Sequence, residues 1–118
     1  MTLLARVVEE DAPDSVALAA VDGEIDASNT AEIAHRLRGM LSNRHTALVV
    51  DLSRTSYLDS AAINLFFELG GDLLQRQQQL LLVVPERSPI ARALTITGLD
   101  AAVPMHHERA SALARAGG

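Results

Sequence analysis

Few side chains in this 118-residue sequence are of a type and spacing that does chemistry. There is no cysteine, so neither a disulfide framework nor a thiolate metal site exists. Of the four histidines, His35 and His45 lie in or after a helical stretch, and His106-His107 are adjacent and point apart on any regular element. None has the i, i+4 spacing that sets two imidazoles on one helix face, so they read as surface residues. Nucleophilic catalysis needs an activated nucleophile with a base in reach. Neither a Gly-x-Ser-x-Gly elbow nor a phosphate-cradling glycine loop is found, and Gly70-Gly71 falls mid-helix. The residues argue for a chain that is not an enzyme and needs no cofactor or metal.

One constellation stands out. Asp22-Gly23-Glu24-Ile25-Asp26 follows a strand, and the stretch from Asp51-Leu52-Ser53 to Tyr57-Leu58-Asp59-Ser60 runs from another strand into a helix. Asp26 and Asp59 therefore sit on loops at the ends of neighbouring strands, with Ser60 opening a helix beside Asp59. Two readings follow from the residue types. The aspartates cap helices, as aspartates before helices commonly do, or they form the surroundings of the serine.

The elements that position these residues are legible from pattern. Residues 3–8 and 16–21 are strand candidates, joined by the turn-rich Ala12-Pro13-Asp14-Ser15 into a hairpin. Asp22-Gly23 then reads as a turn that ends the second strand. A helix is predicted over 28–42, capped by Ser28 or Asn29, with Ile33, Leu37, Met40 and Leu41 as its buried stripe. His35, Arg36 and Arg38 are left to solvent.

Residues 47–52 form an unbroken apolar run, the mark of a strand covered on both faces. Residues 53–58 lead from it to Asp59, which caps a helix over 60–76. In that helix Ala62, Leu65, Phe66, Leu69 and Leu73 face the sheet. Gly70-Gly71 weakens it by about 1 kcal/mol per glycine and marks a bend or a close approach. Residues 80–84 are a further buried strand. A third helix begins at Pro89 and ends near Thr97, with Gly98 beyond it. A short strand over 102–105 and a helix over 108–116 complete the chain. Helical crossovers between strands give an α/β fold. The expectation is one domain over residues 1–118, a mixed, mostly parallel sheet of about five strands with about four helices.

Bulk properties narrow the function. At 48% hydrophobic and 21% charged the chain can build a core. With three aromatic residues, Tyr57, Phe66 and Phe67, that core must be aliphatic. A net charge of −5 and no basic run argue against direct nucleic-acid binding. The first residues lack the basic start and apolar run of a signal peptide, and no apolar stretch approaches a membrane span. The compartment expected is the cytoplasm.

Taken in order, Gly-Glu-Ile-Asp before a helix, Val-Val-Asp-Leu-Ser, Tyr-Leu-Asp-Ser-x-x-Ile and the stretch Ser88-Pro89-Ile90 to Thr97-Gly98-Leu99 resemble the STAS domain family, most closely its anti-sigma factor antagonists. The resemblance covers about residues 16–105. It implies that Ser60 is the serine phosphorylated by a partner anti-sigma factor, itself a histidine-kinase-like serine kinase. It also implies that Asp26 and Asp59 are the acidic neighbours of that serine. Unphosphorylated, such a protein sequesters the anti-sigma factor and frees a sigma factor; phosphorylated, it lets go. ATP and Mg²⁺ then belong to the kinase. The alternative within the same family is a STAS subunit of a transporter complex, or an unmodified scaffold in a signalling assembly.

The sequence departs from the usual Asp-Ser-(Ser or Thr)-Gly-Leu-Gly by carrying Ala62 and Asn64 in place of both glycines. Ala62 falls on the core face. Asn64 lies one turn after Ser60, on the side a kinase would approach. On a helical wheel Ser60, Asn64, Phe67 and Gly71 share an outer stripe, with Ile63 and Leu74 at its border. A phosphate on Ser60 carries about −1.5 to −2 charges at neutral pH. The helix N-terminus favours it and the two aspartates oppose it, so the change is one of surface charge. Ile63, Asn64 and Phe67 are accordingly the partner-binding candidates; Phe67 and Ile63 packed against a neighbouring helix is the competing reading.

Overall fold

The computed structural model describes residues 5–117. The elements run β1 (Ala5–Glu10), β2 (Val16–Ile25), α1 (Thr30–Gly39), β3 (Ala47–Asp51), β4 (Thr55–Leu58), α2 (Ser60–Gln75), β5 (Gln79–Val83), α3 (Ala91–Ile96), α4 (Leu99–Ala102), β6 (Met105–His106) and α5 (Arg109–Gly117). The strands form one mixed sheet in the order β1-β2-β3-β5-β6, and β4 pairs with β2 off that path. β1 and β2 are the antiparallel hairpin, and the other pairings are parallel.

Alternation along the strands sorts the core into two layers. Ala17, Ala19 and Val21 of β2, Leu48 and Val50 of β3, and Leu80 and Leu82 of β5 pack under α1 to α4, together with Ile33, Leu37, Phe66, Leu69 and Leu94. The intervening Val16, Leu18, Val49, Leu81 and Val83 pack on the other face against Ala112 of α5. All five residues of β3 are buried, as a strand covered on both sides must be. Phe66, the one aromatic residue in that core, is fully buried, worth about 1.5–3 kcal/mol of transfer free energy.

Four expectations change. The turn signal Asp22-Gly23 does not end β2; the strand continues to Ile25, because Gly23 takes φ 113 and absorbs a register shift between Gly23 and Glu24. Residues 55–58, read as part of a connection, are the strand β4. The chain leaves β3, turns, and rejoins the extended half of β2, pinned by Gly23 N–H to Arg54 O at 3.0 Å and by Thr55 Oγ1 to Val21 O at 2.7 Å. The strand expected over 102–105 is displaced to Met105–His106, since Ala102 ends the short helix α4. The first strand, expected to end at Val8, continues through Glu9 and Glu10, and Leu3 and Leu4, placed in that strand by pattern, fall outside the described residues.

The glycine pair in α2 splits into two roles. A Cβ on Gly70 would stand 3.0 Å from Val103 Cγ2, so α4 is admitted close to α2 there. Gly71 has open space around it.

Candidate functional site

Asp26 and Asp59 are brought together at the C-terminal ends of the paired strands β2 and β4, where Ile25 is matched with Leu58. Asp59 is extended, at φ −103 and ψ −174, and caps α2 by accepting from the Ala62 N–H at 3.0 Å. Its second oxygen accepts from the Ala27 N–H at 3.1 Å. One carboxylate thus fastens the start of α2 to the loop that carries Asp26. Asp59 N–H in turn donates to Ile25 O at 3.2 Å.

Asp26 shapes that loop. Its side chain accepts from the Ser28 N–H at 2.9 Å and from the Ser28 hydroxyl. Asn29 stands at the N-cap of α1, as expected, but its side chain makes no cap hydrogen bond to the helix. It turns back instead, accepting from Asp26 N–H at 3.0 Å and donating to Glu24 O at 2.9 Å. The loop 26–29 is therefore a closed set of local hydrogen bonds, of the kind Asx residues make in turns.

Ser60 is the first residue of α2 and is exposed. The backbone N–H groups of Ala62 and Ile63 already donate to Asp59. Those of Ser60 and Ala61 belong to the first helical turn, where no intrahelical acceptor exists. A dianion on the Ser60 hydroxyl would meet this positive helix end and the adjoining carboxylate of Asp59.

The outer stripe of α2 holds in part. Asn64 and Gly71 are exposed, Phe67 is 36% exposed, and Leu74 at the border is 63% exposed. Ile63 is corrected: at 6% exposure it belongs to the core, because its position on the wheel turns it inward against the helical layer. Ala62, as expected, is fully buried.

Two features were not foreseen. A cleft of about 300 Å³ lies between α1 and α2 beside the serine, with Ala31, Ala34, Ala61 and Leu65 as apolar lining and Asn64 and Glu68 at its rim. Its only sequence signal is the small residues on facing helix surfaces. On the far side of the sheet, Arg109 of α5 donates from Nε to Asp51 at 2.9 Å and from Nη1 to Glu10 at 2.9 Å. The bond to Glu10 and then the nearby Asp51 hold its guanidinium above its ordinary value, against the opposing effect of burial. No spacing rule joins residues 51 and 109. Among the described residues no three His, Asp or Glu side chains gather as a metal site, and no helix is long and apolar enough to cross a membrane.

Comparison with solved structures returns the same fold. An anti-sigma factor antagonist from Mycobacterium paratuberculosis is 24% identical, with a TM-score of 0.84 over 97% of this chain and 95% of that one. The anti-sigma factor antagonist SpoIIAA in its unphosphorylated form is 19% identical, with a TM-score of 0.71 over 96% and 99%. A sulfate transporter family protein from Wolinella succinogenes is 19% identical, with a TM-score of 0.74 over 92% and 89%. The sequence itself matches the STAS domain over residues 8–112. With that match running over most of its length, on an α/β scaffold of this topology, the chain belongs to the STAS domain family.

Proposed function

We propose that this protein is an anti-sigma factor antagonist, a binding module switched by phosphorylation of Ser60. The observation that carries this reading is an exposed serine at the first position of α2, beside a carboxylate that already occupies the Ala62 N–H. Likeness to two anti-sigma factor antagonists supports it. The partner is an anti-sigma factor kinase. It docks on the outer face of α2 through Asn64 and Phe67 while Ser60 carries a hydroxyl, and it departs when Ser60 carries phosphate. Ile63 acts from behind, by setting the position of that face.

The chemistry of the switch is electrostatic. Phosphate adds about −1.5 to −2 charges at neutral pH to a surface already carrying Asp26 and Asp59. A docked partner must then desolvate or neutralise that charge. The module itself performs no catalytic step and holds no cofactor; it works in the cytoplasm, where the kinase supplies ATP and Mg²⁺.

The transporter-type reading is favoured by one observation, the likeness to the sulfate transporter family protein. There the same face would dock permanently and Ser60 would stay unmodified. Affinity purification from the source cell with wild-type and Ser60→Asp baits separates the two. The switch reading expects a kinase captured by the wild type and lost with Ser60→Asp; equal capture of transporter components by both baits would favour the second.

A further inference from the structure

β1 is a free edge of the sheet. It ends the strand order and pairs with β2 without a register break, from Ala5 opposite Gly23 to Glu10 opposite Leu18. Among the described residues its backbone makes no hydrogen bond outside that ladder. A regular, proline-free edge presents alternate unpaired N–H and C=O groups and templates another strand unless its side chains forbid it.

The side chains of β1 do not forbid it; they match themselves. Arg6, Val8 and Glu10 line the open part of the α5 side of the sheet. Val7 and Glu9 point to the other side, in a cleft shared with His35 and Arg36 of α1. The Arg6 side chain is 70% exposed, and its one ion-pair contact among the described residues is with Asp22 at 3.9 Å.

We propose that β1 pairs with β1 of a second copy of this chain, antiparallel, about a two-fold axis through Val8. A two-fold perpendicular to the sheet keeps each side chain on its own face, so opposed residues must both be even or both be odd in number. Centring on Val8 sets Arg6 opposite Glu10 twice and Val8 opposite itself. Centring on Val7 sets Arg6 against Val8 and forms no charge pair; centring on Glu9 sets two carboxylates face to face.

In the Val8 register Glu10, whose Oε1 accepts from Arg109, offers its other oxygen to the second copy's Arg6. On the opposite face the second copy's Glu9 falls beside Val7 and so next to Arg36. Each edge carboxylate thereby meets a cation, although the chain as a whole is acidic. Helix α1 stands between this edge and the outer face of α2, so the pairing is independent of Ser60.

Sedimentation equilibrium of the full chain tests the register. Wild type should form dimers at millimolar concentration. Arg6→Glu and Glu10→Lys should each weaken them by at least about tenfold, since each sets like charges opposite one another. An equimolar mixture of the two variants should recover association, because the heterodimer restores both opposite-charge pairs. Circular dichroism of each variant checks the fold. A second arm leaves Arg109 untouched. Val8→Cys, giving the chain its only thiol, should oxidise to a disulfide-linked dimer, since directly opposed residues lie within disulfide reach. Arg6→Cys, four residues from its own copy, should not. A wild type that stays monomeric at millimolar concentration, a mixture no more associated than its components, or equal cross-linking at both positions overturns the proposal.

Discussion

Asp59 and Ala27 are 32 residues apart in sequence, and the carboxylate of the first holds the backbone N–H of the second at 3.1 Å. The same side chain caps α2 through Ala62. A residue that reads as a helix cap is therefore also a clasp between two loops.

Replacing Asp59 by alanine should cost about 1–3 kcal/mol, the cap and the second hydrogen bond together. Asp59→Asn keeps an acceptor for only one of the two N–H groups in good geometry and should fall between. Ser60→Ala should change stability by less than about 0.5 kcal/mol, as exposed substitutions away from such features do. Urea unfolding measures all three. In Asp59→Ala the Ala27 and Ala62 amides should exchange faster than in wild type, and equal exchange at Ala27 would show that the clasp contributes nothing.

The two glycines of α2 should separate cleanly. Gly71→Ala enters open space and should stabilise by roughly 0.5–1 kcal/mol through helix propensity. Gly70→Ala gains the same propensity but presses on Val103 Cγ2 at 3.0 Å, and overpacking of a core costs about 1–3 kcal/mol. It should be less stable than Gly71→Ala by at least about 1 kcal/mol. Thermal denaturation of the pair decides, and equal melting temperatures would mean that α4 moves aside without cost.

Arg109 fastens α5 to both β3 and β1. Asp51 is buried, and in Arg109→Ala it keeps only the Ser53 N–H and hydroxyl as partners. The loss should be about 1–3 kcal/mol, and Asp51→Asn in the same chain should recover part of it by removing the unpaired charge. Because the guanidinium is held above its ordinary value, raising the pH removes its charge only in strongly alkaline solution. A chemical denaturation series with a double-mutant cycle measures the coupling; additive effects would contradict it.

The fold was legible where one physical signal dominated. The buried run 47–52 could be nothing but an inner strand, and the i, i+3, i+4 pattern of Ala62, Leu65, Phe66, Leu69 and Leu73 fixed the inner face of α2. Legibility failed where tertiary pairing overrode local chemistry. Gly23 signals a turn, yet β4 was waiting to pair beyond it, and its own four residues, with Ser56 and Tyr57 exposed, carry too little apolar pattern to announce a strand. Ile63 sits where a wheel places the border of the stripe, and a border is decided by the neighbouring helix. Of the candidate site, the places of Asp26 and Asp59 at neighbouring strand ends and of Ser60 at a helix start were legible from type and position. Asn29 was found as a cap but not in its bonds, which run backward to Glu24 and Asp26.

Asn64 occupies the outer face of α2 one turn after Ser60, where the family pattern has glycine. Restoring the glycine should leave phosphorylation by the cognate kinase unchanged or faster, at a cost of only roughly 0.3 kcal/mol in helix stability, since asparagine is itself a poor helix former. Initial rates for wild type and Asn64→Gly measure this. A slower Asn64→Gly would mean that the kinase reads the asparagine itself.

The most direct measurement is tandem mass spectrometry of the protein after incubation with its cognate kinase, ATP and Mg²⁺. We predict one added phosphate, located on Ser60 in the wild type and absent in Ser60→Ala, with partner binding lost in step. Phosphate on Ser56 or another residue, or a chain left unmodified while it still binds its partner, would contradict the switch.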